Sequence, residues 1–157
     1  MAYKLFPFHN IEATVGAGGI NRSDDVILVQ GLLDICFGMR TLEEMQRVCK
    51  ELGGASPARK VKVDGVYSDE IAAYIEMMQR HYCKRASSVT VDGKLDPVPR
   101  EHGWFDIQSR TKSGKEYFLV VLNTTAISVN AKAFLGLGDR IGVSFKIGIK
   151  GVGQVAA

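Results

Sequence analysis

Proline, tryptophan and cysteine are scarce in this chain, and each scarcity excludes something. Four prolines and one tryptophan in 157 residues leave no polyproline or low-complexity segment, so the chain is expected to fold. Three cysteines, Cys36, Cys49 and Cys83, form an odd set without framework spacing, which argues against a disulfide scaffold. No apolar run approaches the roughly 18 residues that a membrane-spanning helix needs. Residues 1–10 carry Lys4 and Pro7 where a secretory signal would keep an unbroken apolar stretch. The expectation is a chain made in the cytoplasm, without a signal peptide or a membrane span. Nor does one sign of charge dominate: 20 Lys and Arg against 17 Asp and Glu give a net charge of +3. The two signs balance over residues 1–100, so the surplus lies in the last third. It is too thin and too scattered for the clustered basic footprint of a nucleic-acid module.

What remains is ordinary: 46% hydrophobic and 24% charged residues, close to the average soluble domain. A chain of this length buries about 68–70% of its unfolded surface, enough for a core without a metal or disulfide staple. Val26, Val29, Leu33 and Cys36 recur at helical spacing and predict a helix over residues 25–37, capped by Ser23 or Asp24. Thr41 and Glu44 form a capping box for a second helix, which Gly53-Gly54 ends. Ser68 opens a third, whose stripe is Ile71, Tyr74, Ile75, Met78 and Tyr82. Residues 104–109 and 116–122, around the turn Lys112-Ser113-Gly114, read as a β-hairpin. Residues 128–138 are ambiguous, with a short helix as one reading. Residues 143–150 alternate strictly between apolar and polar, the clearest strand pattern in the chain. The hairpin is its nearest expected partner, and as an edge strand it would offer unpaired backbone to another subunit.

One internal echo stands out. Val63-Asp64-Gly65-Val66-Tyr67 recurs 28 residues later as Val91-Asp92-Gly93-Lys94-Leu95, as in a domain built from two related loop-and-helix units. Gln30 and Gln79 sit at the edges of apolar stripes, where a half-buried amide survives only by hydrogen-bonding loop backbone. They are expected to pin loops.

Catalytic patterns are sparse. His9, His81 and His102 are scattered, and no CxxC or HxxxH spacing suggests a metal. Asp64, Asp69, Asp92 and Asp96 would suit glycoside hydrolysis only if they faced one another across a cleft, and loop aspartates more often serve turns and caps. No catalytic residue, cofactor or metal is expected. Cys36 and Cys49 fall on apolar faces and should be buried. Cys83 lies about 100° off its helix's stripe by the 3.6-residue period, just before Lys84-Arg85, and is expected to be the accessible thiol.

Asp25-Val26-Ile27-Leu28-Val29-Gln30-Gly31-Leu32-Leu33, and Asp64-Gly65-Val66-Tyr67 followed by a helix with Ala73 and Met78-Gln79, resemble the signatures of the peptidoglycan-binding-domain family. The leading loop Val15-Gly16-Ala17-Gly18-Gly19-Ile20-Asn21-Arg22 and the closing loop Asp92-Gly93-Lys94-Leu95-Asp96-Pro97 are similar to those of its bacterial and phage branch. The resemblance covers residues 14–98. Ser68, Asp69 and Ile71 stand where the family usually has Gly, Pro and Thr.

The resemblance implies a three-helix peptidoglycan-binding-like domain over residues 1–100, and the strand patterns that follow predict a β-rich hairpin-and-strand extension over 101–157, an α+β chain in all. The resemblance also bears on function. It implies a non-catalytic module binding cell-wall glycan-peptide, in a groove lined by Asn21, Arg22, Asp64, Ser68 and Asp69. Tyr67 and Trp104 are candidates for stacking on a sugar, and packing in the core is the alternative for both. The rival expectation is a structural component of a phage particle or contractile injection machine, whose partner is a neighbouring subunit in a homo- or hetero-oligomer.

Overall fold

The computed structural model describes residues 3–54, 56–83, 88–101, 104–106, 110–142 and 146–151, with side chains at 8–54, 56–83, 88–99 and 110–142. Five helices dominate: α1 (Ser23–Phe37), α2 (Leu42–Leu52), α3 (Asp69–Cys83), α4 (Phe118–Val129) and α5 (Ala131–Ile141). The strands are short: β1 (Tyr3–Phe8), β2 (Val15–Gly16), β3 (Lys94–Leu95), β4 (Arg100–Glu101), β5 (Trp104–Asp106) and β6 (Lys146–Gly151).

Helix α1 is the hub. Val26, Val29, Leu32 and Leu33 have no exposed surface, and each such side chain contributes about 1.5–3 kcal/mol by leaving water. Helices α4 and α5 both pack on α1. Gly31, in mid-helix, permits this approach: a Cβ there would stand 2.6 Å from Leu137 Cδ1. Neither Ser23 nor Asp24 caps α1. Its N-cap is Arg22, with no side-chain cap bond. The nearby carboxylate that is buried, Asp25, instead accepts from the Glu12 and Ala13 N–H groups, each at 3.0 Å, and ties the preceding segment to the helix. At α2 the capping box forms in both directions, and Gly53 ends the helix at φ 74°.

The expected α+β plan, with a β-rich extension after residue 100, does not form. The fold is mostly helical, and residues 118–141 are α4 and α5. The turn at 112–114 is present, with a bridge between Arg110 and Glu116, but the chain then enters α4 where the second hairpin strand was expected. Its apolar run Phe118-Leu119-Val120-Val121-Leu122, with an aromatic and two β-branched valines, suits a strand locally. Burial overrides this preference. Phe118, Leu119, Leu122, Asn123 and Ala126 share one helical face and are all buried. Thr124 and Thr125 donate their hydroxyls to Val120 O and Val121 O, one turn back, so they remain satisfied within a helix. Asn130 ends α4 and caps α5 by accepting from Ala133 N–H, and the axes turn by 114° there. No single described helix is long and apolar enough to cross a membrane.

The last strand pattern lies partly outside the described residues, at 143–145. Its remainder, β6, is antiparallel to β1, from Tyr3 opposite Gly151 to Phe8 opposite Lys146, and parallel to β5. The sheet order is β1-β6-β5-β4. Strand β6 therefore lies inside the sheet rather than at its edge, paired with β1 along its length and with β5 at Gly148 and Ile149. Its main partner is the N-terminal strand, which no local signal near residue 143 indicates.

A small second sheet joins β2 to β3 and brings Gly16 against Gly93. Gly16 has φ 129°, and a Cβ on it would lie 2.2 Å from Gly93 O. Gly16→Ala should therefore cost at least about 3 kcal/mol, from backbone strain and a clash that only backbone movement relieves. The midpoint of urea unfolding measures this, and an unchanged midpoint would contradict the contact.

His9 is fully buried beside Phe134, with ring centroids 5.2 Å apart. Its backbone is held by Asn123, whose Oδ1 accepts from His9 N–H at 2.8 Å and whose Nδ2 donates to His9 O at 3.0 Å. Burial pushes the imidazole pKa down to about 4, against a small opposing hydrogen bond with the Phe134 backbone. Above pH 6.5 the imidazole is neutral in both folded and unfolded chains, and the full stability is present. Between pH 6.5 and 4 only the unfolded chain takes up the proton, so stability falls by at most about 3 kcal/mol across that window. A thermal melt series should show this loss, and His9→Phe should flatten it.

Candidate functional site

The internal echo is built as two copies of one device. On α1, Gln30 Oε1 accepts from the N–H groups of Asp64 at 3.0 Å and Gly65 at 2.7 Å. Its Nε2 donates to Asp64 Oδ1 at 3.0 Å and to Val66 O at 3.1 Å. On α3, Gln79 Oε1 accepts from Asp92 N–H at 3.0 Å and Gly93 N–H at 2.9 Å. Its Nε2 donates to Asp92 Oδ1 at 3.1 Å and to Lys94 O at 3.0 Å. In each turn the aspartate also accepts from the N–H two residues on, Val66 or Lys94. The glycines have φ 76° and 70°. Each glycine lies against its own helix seven and three residues before the glutamine: Gly65 at Ser23 and Ile27, Gly93 at Ala72 and Glu76. Both glutamines are almost fully buried, so the expectation that they pin loops is met bond for bond.

Beside the first clamp opens a cleft of about 240 Å³ between residues 59–62 and 64–70. Arg59 and Lys62 border it and pair with Glu70 at 3.5 Å and Asp64 at 3.8 Å. Ser68 and the buried Tyr74 also line it, and the Tyr74 hydroxyl donates to Arg59 O at 2.8 Å. Burial, followed by the Cys49 and Glu70 charges, pushes the Tyr74 phenol up to about 12. The Val66 N–H, then the Gln30 amide, hold the Asp64 carboxyl below its usual range, opposite to what a general acid needs. The walls thus carry both charges and several hydroxyl and carboxylate oxygens, suited to a polar ligand with mixed charge.

The groove residues inferred from the resemblance divide. Asp64 and Ser68 line the cleft, whereas Asn21, Arg22 and Asp69 are not among its lining residues. Asn21, at φ 54°, turns inward on its own loop: it accepts from Gly16 N–H and donates to Gly16 O and Gly19 O. Arg22 pairs with Glu12 at 2.8 Å on the surface. Asp69 is exposed in the first turn of α3. Tyr67 is half-buried against the core, and burial, then the Asp69 charge, raises its pKa. Trp104 has its backbone in β5, and its side chain lies outside the described ones.

The four loop aspartates are divided: Asp92 and Asp96 line one small cleft of about 50 Å³ with Glu116, Asp64 lines the cleft beside the first clamp, and Asp69 lines neither. Asp64 and Asp92 hold their own turns, and Asp96 accepts from the Thr14 hydroxyl at 2.6 Å. Among the described residues no group of three His, Cys, Asp or Glu is placed to hold a metal. Cys49 is buried, while Cys36 and Cys83 are both half-buried. Cys36, expected inside, lies in the wall of a second, apolar cleft, where burial pushes its thiol up to about 12. The Cys83 thiol donates to Val89 O at 3.5 Å. Sequence reasoning missed Arg59, Lys62 and Glu70 as cleft residues, although the basic run around Lys60 was the available signal.

No family model matches this chain. No curated protein matches it, and no solved structure does.

Replacing either clamp glutamine by alanine leaves two backbone N–H groups of its turn without their acceptor. Gln30→Ala and Gln79→Ala should each lower unfolding free energy by about 2–6 kcal/mol, on a cost of roughly 1–3 kcal/mol per orphaned group. Urea denaturation tests this, and a loss under about 0.5 kcal/mol would show that water substitutes for the amide.

Proposed function

We propose that this chain is a non-catalytic binding module that takes cell-wall glycan-peptide into the cleft beside the Gln30 clamp. The observation that carries this reading is the clamp itself. It makes the Asp64-Gly65-Val66 turn a pre-organised wall, with four amide hydrogen bonds joining it to the central helix, and pre-organisation lowers the ordering cost of binding. Arg59 and Lys62 offer donors to the carboxylates of a stem peptide. Ser68, Glu70 and Asp64 offer partners to sugar hydroxyls and amides. Asp64 and Asp92 are engaged in shaping their turns and Asp96 accepts from the Thr14 hydroxyl, and the reading is one of binding without bond cleavage.

The rival reading is a structural subunit of a phage particle or injection machine; with β6 inside the sheet, between β1 and β5, that reading does not rest on this strand as an edge.

Purified chain mixed with purified sacculi should pellet with them and leave their turbidity unchanged. Lys62→Glu combined with Glu70→Lys should cut retention at least fivefold while leaving the melting temperature nearly unaltered. Retention unchanged by this double substitution would place the ligand elsewhere. No retention of the wild-type chain, with self-assembly seen by sedimentation, would replace this reading with the structural one.

A further inference from the structure

The larger opening in the molecule is not the cleft beside the clamp. A cleft of about 370 Å³ lies between the C-terminal ends of α1 and α3, helix α2, and one face of α4. Its walls are mostly apolar, with Met45, Met77 and Met78 beside Phe37, Phe118 and Val121. The basic side chains that line it are Arg40 and His81, both exposed. Among the described residues no carboxylate lines it. Glu44, in the first turn of α2, is engaged in the capping box with Thr41. The thiol in the wall, Cys36, stays neutral in so apolar a setting. This charge pattern is the reverse of the mixed pairs at the clamp cleft.

We infer that this cleft binds a single-chain amphiphile with an anionic head group, a medium-chain fatty acid or acyl lipid, with its chain among the methionines and its head at Arg40 and His81. Three physical points select this class. The volume lies at the low end of small-molecule sites, roughly 300–1,000 Å³, which favours one slender chain over a multi-ring ligand. Methionine is unbranched and polarisable and adapts to a flexible apolar guest. The basic mouth, free of lining carboxylates, attracts an anion and disfavours a cation, and a guanidinium can grip a carboxylate or phosphate with two parallel hydrogen bonds. This inference stands apart from the proposed wall binding, because it concerns other residues and another ligand.

Calorimetric titration of the full chain with decanoate, decanol and decyltrimethylammonium tests it. Decanoate should bind, and affinity should rise roughly fourfold per methylene from octanoate to decanoate, the gain expected for burying each one. Decyltrimethylammonium should bind at least tenfold more weakly than decanoate. Arg40→Glu, at an exposed position, should weaken decanoate at least tenfold, leave decanol within twofold and leave the melting temperature unchanged. A parallel titration with a decanoyl lysophosphatidylglycerol identifies the source: tighter binding than decanoate points to a membrane lipid, weaker binding to a free acid, and either supports the inference. Absence of decanoate binding at millimolar concentration, or equal affinity for the cationic chain, overturns it. So does a dimer in sedimentation that Val121→Trp dissociates, since the cleft would then be a protein interface.

Discussion

A buried amide side chain must find protein partners for both its oxygen and its nitrogen, because no water reaches it. This requirement organises the whole molecule. The buried amides Asn10, Gln30, Gln79 and Asn123 each hydrogen-bond the backbone of a segment remote in sequence. Gln30 and Gln79 hold the two Asp-Gly turns. Asn10 closes a reciprocal pair with Val98, at 2.9 Å in both directions. Asn123 does the same with His9 and adds a bond to Leu119 O within its own helix. The buried Asp25 carboxylate serves the same end for residues 12 and 13. Irregular backbone, which would otherwise leave polar groups stranded against the core, is thereby fastened to helices.

The fastening explains how short strands and long connections coexist with a continuous core. Apolar burial supplies most of the driving force, through α1 and the helices stacked on it, but it has little directional preference. The amide staples supply direction. Each is satisfied in one register only, so a slipped loop would leave a buried donor or acceptor unpaired at a cost of about 1–3 kcal/mol. The same logic applies at Gly16, where close approach of backbone to backbone fixes the β2–β3 contact sterically.

The two clefts follow from this scaffold in different ways. The polar one is bordered by a clamped turn, so its shape is set by hydrogen bonds. The apolar one lies where four helices meet without filling the space between them, so its shape is set by side-chain volume. Methionines tolerate such incomplete packing better than branched residues do. One wall is rigid and the other adaptable, which is why the two invite chemically different ligands.

Much of the first 98 residues was legible in the sequence, because their signals are local. The capping box at Thr41, the stripes of α1 and α3, and the repeated Asp-Gly pairs each lie within a few residues of the structure they direct. The clamps were legible too, since a glutamine at the edge of an apolar stripe has few other ways to be satisfied. The region after residue 100 was not. Phe118 to Leu122 has strand-like composition, and only the face that α1 buries turns it into a helix. Strand β6 finds β1 from the other end of the chain, and Arg59, Lys62 and Glu70 meet only once the turn and α3 are in place. Periodicity, caps and turn chemistry are properties of neighbouring residues and were determined by the sequence alone. Strand partners, the helical state of α4 and both clefts depend on burial between distant segments, and that only the tertiary structure decided.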